Sequence, residues 1–133
     1  MTEIFLLLVL FQLKHFLADY PLQFPYMYEN KGKATGWVAP LANHAWIHAA
    51  MTLIIGVFFL LDVNPEILTR PAFAILFSIT AIDFTTHFIV DRWKATRKGG
   101  PDTPRFWINL GLDQMAHHLV GIFIIYILIT QGL

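Results

Sequence analysis

The sequence predicts an all-α protein, a four-transmembrane-helix bundle with a polar His/Asp centre near its cytoplasmic end. Three observations predict it. The chain is too apolar to cover a soluble surface. Histidine and aspartate recur at spacing four in four separate segments. All of these pairs fall at one depth of an up-down bundle.

Hydrophobic residues make up 56% of the 133, charged residues only 14%, and mean hydropathy is +0.58. Soluble domains sit near ~45–50% apolar and ~25% charged. A bilayer removes the need for a charged surface. The length suits one domain, residues 1–133. A net charge of zero gives nucleic acid no electrostatic footprint. The absence of cysteine excludes disulfides, thiolate ligands and a cysteine nucleophile.

The first helix is expected over 3–20, ending before Pro21. It has Glu3 in place of a basic n-region and no clear cleavage site, so it reads as a retained span rather than a signal peptide. Residues 21–40, rich in proline and aromatics, form a long connector that dips into the interface or covers the site. The second helix is expected over 41–61, behind Pro40, with His44 and His48 early and only apolar residues afterwards. The third is expected over 71–94 and the fourth over 106–130, separated by a basic turn around Arg97-Lys98-Gly-Gly-Pro101.

Four spans place Lys31, Lys33, Arg92, Lys94, Arg97, Lys98 and Arg105 on one side and Arg70 on the other. The positive-inside rule puts the basic side in the cytoplasm and both termini on the non-cytoplasmic side. Trp37, Trp46, Trp93 and Trp107 fall on the basic side too, as an interfacial belt would.

Asp83, His87 and Asp91 form one stripe in the third helix, because spacing four returns to nearly the same face. His15/Asp19 close the first helix, His44/His48 open the second, and Asp113/His117 open the fourth. Ionisable groups inside a membrane are costly and usually functional. Imidazole and carboxylate are ligands that zinc, iron and manganese accept. The candidate metal ligands are His15, Asp19, His44, His48, His87, Asp91, Asp113 and His117. Eight ligands suit two divalent ions, with zinc the first choice and iron or manganese as alternatives. Asp83, one turn deeper, orients a histidine or serves as general base, a role Asp19 could also take. Lys94 is the first candidate to hold a phosphate, Gln23 and Gln114 are candidate outer-shell hydrogen bonders, and His118 points about 100° from His117 and is left out. A metal-free His/Asp proton relay fits the same residues.

The motifs His15-x-x-x-Asp19-Tyr-Pro-Leu-Gln23, Glu29-Asn-Lys31, His44-Ala-x-x-His48, His87-x-x-x-Asp91-x-x-Lys94 and Asp113-Gln114-x-x-His117 together resemble the signature of the domain of unknown function 3307 family, small bacterial and phage membrane proteins. The resemblance spans nearly the whole chain. It implies an integral protein of a bacterial inner membrane and supports the ligand set position by position. It implies no activity, and Asp83 and His118 lie outside its pattern.

The expected function is a membrane-embedded metalloenzyme, a two-metal hydrolase of a lipid-linked phosphoester or ester at the cytoplasmic leaflet. A di-iron oxidase is the second enzymatic choice. The alternatives are an ion, proton or metal transporter and a small membrane protein with a structural metal. Expected partners are membrane lipid, a lipid-linked phosphate substrate and a second copy of the chain.

Overall fold

The computed structural model describes residues 2–63 and 70–132, and among these every regular element is a helix: α1 (Thr2–Asp19), α2 (Pro25–Asn30), α3 (Val38–Val63), α4 (Arg70–Ala95) and α5 (Pro104–Gly132). At 1.5 Å per residue, the 26 residues of α3 and of α4 reach about 39 Å, beyond the ~30 Å of a hydrocarbon core. With α5, these helices are long and apolar enough to cross a bilayer. The 18 residues of α1 are near the lower limit and include Glu3, Lys14 and Asp19.

Several helix ends follow from local chemistry. Proline at the first helical position needs no N–H, and Pro25 and Pro104 both open helices. Pro40 lies inside the first turn of α3, so that helix starts three residues earlier than the sequence suggests, at Val38. Thr103 caps α5, its Oγ1 accepting from Phe106 N–H at 3.4 Å. The connector contains α2, which the sequence reading passed over. Six residues are too few to show a helical period.

The long helices run alternately up and down. His48 meets His87 while Gly56 meets Ile79, so α3 and α4 are antiparallel. Gly56 lets them approach closely: a Cβ there would lie 2.8 Å from Ile79 Cδ1. Each buried stripe changes character along its length. In α4, Ala72, Leu76 and Ile79 are followed at the same spacing by Asp83, His87 and Asp91. In α1, Leu7 and Phe11 are followed by Lys14. One end of the bundle is therefore an apolar core of Leu7, Phe11, Phe59, Leu60, Leu76, Ile79, Ile124, Ile125 and Leu128. The other end is a buried layer of histidine and aspartate. The outer face carries exposed Phe58, Phe73, Phe77, Leu119 and Tyr126. Apolar side chains on both inside and outside are what a helix packed in lipid shows.

Candidate metal centre

Four helices meet in the polar layer. Three groups bring their ligand atoms within 4.8 Å of one another: His15, His48 and His87; Asp19, His44 and His48; Asp91, Asp113 and His117. The eight residues read as ligands from spacing all fall in these groups. His48 belongs to two of them, and Asp91 links the second to the third. Its Oδ2 is 2.9 Å from His44 Nε2 and its Oδ1 is 3.0 Å from His117 Nε2. Asp19 Oδ1 lies 3.1 Å from His48 Nε2 and its Oδ2 3.2 Å from His15 Nε2. The rings of His48, His87 and His117 form a stack, with centroids 3.7 and 4.1 Å apart.

Within this layer, three buried ring nitrogens have no hydrogen-bond partner, His48 Nδ1, His87 Nε2 and His117 Nδ1, and Asp113 Oδ1 has only His117 Nε2 near it, at 3.3 Å. A buried donor or acceptor left unpaired costs about 1–3 kcal/mol. Native interiors rarely hold several together without a reason. Here each orphan belongs to one of the three groups whose chemistry suits a divalent cation.

Around the layer lie three lysine–aspartate pairs. Lys94 donates to Asp113 Oδ2 at 2.8 Å and Lys31 to Asp91 Oδ2 at 2.9 Å. Lys14 donates to Asp83 Oδ2, which also accepts from Thr52 Oγ1 at 2.8 Å. Asp83 holds His87 as well, since His87 Nδ1 is 3.0 Å from the Asp83 carbonyl oxygen and 3.4 Å from its Oδ1. That fixes the ring with Nε2 turned toward the layer. Carboxylates commonly orient metal-binding histidines in this way. Thr52 corrects the expectation that the second helix is purely apolar beyond His48. Lys14 is buried as well.

Gln114 Oε1 lies 3.1 Å from His15 Nε2, and its amide donates to Asp113 Oδ2 at 3.1 Å. Gln23 fits with its oxygen facing Lys31 Nζ and His44 Nε2, at 3.1 and 3.2 Å, and its amide donating to Asp19 O. His118 is half-buried and outside the three groups. Its ring centroid is 5.3 Å from that of His15, and it lines a small lateral cavity with His15 and His87. Lys31 was read from the sequence for topology and as a member of the motif. Its reach to Asp91 depends on how the connector folds, which spacing does not reveal.

The connector is the cover of the site. Arg92 donates to the carbonyls of Lys31 and Lys33 at 2.8 and 3.1 Å and lies over the Trp37 ring. Gly32 packs against the end of α4, where a Cβ would stand 2.7 Å from the Ala95 carbonyl oxygen. A backbone atom cannot swing aside. Gly32→Ala is therefore expected to lift the connector and withdraw Lys31 from Asp91. The strain is of order 1–3 kcal/mol, and limited proteolysis in residues 21–37 should quicken about tenfold or more. Unchanged cleavage would show that the connector is not seated through this contact.

Below the connector, a cavity of about 200 Å³ opens on the layer, lined by Asp19, Tyr20, Gln23, Lys31, Asp91, Lys94, Leu110 and Gln114. It joins two lysines, two carboxylates of the candidate centre and two amides. Comparison with curated proteins and with solved structures finds no match. The model of the family described as "Protein of unknown function (DUF3307)" matches residues 6–133, and the chain belongs to that family.

Proposed function

We propose that the chain is a four-span membrane metalloenzyme, a two-metal hydrolase of a phosphoester carried by a membrane lipid. The carrying observation is the convergence of eight histidines and aspartates in three adjoining donor groups, two of whose acids, Asp19 and Asp91, open on a cavity flanked by Lys31 and Lys94. Two divalent ions, zinc for preference, suit three adjoining donor groups, two of which share His48. A divalent cation held there supplies Lewis acidity for attack on a phosphoryl group.

The chain's own residues divide the remaining work. Lys31 and Lys94 flank the mouth and hold an anionic group. Gln23 and Gln114 orient His44 and His15. Asp19 is the more exposed acid of the cavity and is placed to take a proton from water, with 20% of its side chain accessible against 5% for Asp91. Asp83, at 2% and held by Lys14 and Thr52, positions His87 rather than meeting solvent. The basic connectors favour a cytoplasmic placement of this mouth.

A transport role would need a polar path through the bundle. The buried stripes beyond Thr52 and Asp83 are apolar among the described residues, which favours an enzyme. Detergent-purified protein is expected to contain about two equivalents of zinc, manganese or iron. It should hydrolyse a lipid phosphoester in mixed micelles, lose that activity on chelation and regain it on metal return. Folded protein that takes up no metal after reloading would overturn the proposal and leave a His/Asp relay.

A further inference from the structure

The cavity at the metal centre does not end at Lys94. Lys94 and Leu110 also line a second cavity of about 230 Å³, together with Arg97, Lys98 and Asn109. Arg97, Lys98 and Asn109 then line a third, of about 480 Å³, with Arg105, Trp93 and Thr96. The three cavities adjoin along the α4–α5 turn, with Lys94 and Leu110 in the walls of the first two and Arg97, Lys98 and Asn109 in the walls of the outer two. Neither outer cavity has a carboxylate in its wall. Among the described residues, Arg97, Lys98 and Arg105 take part in no ion pair, whereas Lys14, Lys31 and Lys94 each hold an aspartate.

This turn is held in shape. Gly99 has φ +125°, which side-chain-bearing residues rarely adopt, and Trp107 Nε1 donates to the Pro101 carbonyl at 2.8 Å. Arg97 lies over the Trp93 ring at 4.9 Å, a contact that leaves its N–H donors for another partner. Unpaired cations gathered on one turn suit a multivalent oxyanion, because the backbone that carries them is already held. Phosphate suits a guanidinium fork.

We infer that Arg97, Lys98, Arg105 and Asn109 form a second anion subsite for a phosphate-class oxyanion, reached from the metal centre through Lys94. The ligand is either a second phosphate of the substrate, as in a lipid diphosphate, or the headgroup of a neighbouring lipid. The inference deepens the hydrolase reading by naming the substrate class, yet the subsite is built without any of the metal-group residues.

The test is pyrophosphate binding to chelator-treated protein in neutral phosphatidylcholine nanodiscs, comparing wild type with Arg97→Gln/Lys98→Gln/Arg105→Gln. These residues lie outside the metal groups, and Lys94 is left in place. The wild type is expected to bind and the variant to bind at least about tenfold more weakly, roughly the loss of one charge-assisted contact. Circular dichroism should show equal helix content. Equal affinity in the two proteins, or no binding by the wild type, would overturn the subsite. Repeating the wild-type titration in phosphatidylglycerol nanodiscs separates the sources. Competition assigns the subsite to headgroups, and undiminished affinity assigns it to the substrate's second phosphate. Because the protein is metal-free, binding can succeed while the hydrolase reading fails, and the reverse.

Discussion

His48→Ala should strip the centre of metal while the helices stay folded. His48 is shared by two of the three ligand groups, so its loss damages both. It also contributes a face to the imidazole stack with His87. Outer-shell changes alone cost 10–100-fold in metal affinity. Loss of a shared ligand should exceed about a hundredfold and leave no metal after gel filtration. The apolar core lies at the other end of the bundle and does not involve His48, so helix content should persist. His118→Ala is the matched control. It removes an imidazole whose ring lies 5.3 Å from that of His15 but which belongs to none of the groups, and metal content should remain that of wild type. Elemental analysis of the purified variants decides. Equal metal in wild type and His48→Ala would remove His48 from the ligand set. Loss in both variants would point to general damage to the bundle.

The residues of this layer were legible in the sequence because an α-helix converts spacing into direction. His15/Asp19, His44/His48, His87/Asp91 and Asp113/His117 each lie on one face of their helix, and alternating helix directions bring the four faces to one level. The inward direction of Asp83 was legible by the same rule, and the structure gives it a partner in His87. Lysine partners were less legible. A lysine has a long, flexible side chain, and its Cα position leaves the ammonium free over several ångströms. Lys14 follows the buried stripe of α1, and its spacing from Phe11 and Leu7 points it inward. Lys31 was beyond reach, since it sits in a connector whose path rests on Gly32, Arg92 and a six-residue helix. Thr52 carried a signal too weak to notice: one hydroxyl, a turn beyond His48, on the same face as Gly56.

Lys14 and Asp83 set the second large effect. Both are almost fully buried, at 4% and 2% side-chain exposure, and the histidine layer lies beside them. Removing one partner strands the other. Lys14→Met should leave the Asp83 carboxylate with Thr52 and His87 but no cation, and Asp83→Leu should leave a buried ammonium without its carboxylate. Each single change is expected to destabilise the fold by about 3–5 kcal/mol, the usual result of orphaning one half of a buried ion pair. The double variant Lys14→Met/Asp83→Leu should recover most of that loss, because apolar residues of similar bulk replace a buried pair at little net cost. Function should not recover with stability. Without its carboxylate, His87 keeps only the Asp83 backbone carbonyl, and metal affinity should remain 10–100-fold weaker. Unfolding curves in detergent and metal titrations on the four proteins separate the two roles. A double variant as unstable as the singles would mean that the pair stabilises through its own hydrogen bonds, including that from Thr52. A stable double variant with wild-type metal affinity would mean that Asp83 neutralises Lys14 and does nothing for His87. Recovery of folding without recovery of metal is the expected outcome, since the charge of Lys14 and the orientation of His87 are two separate demands met by one carboxylate.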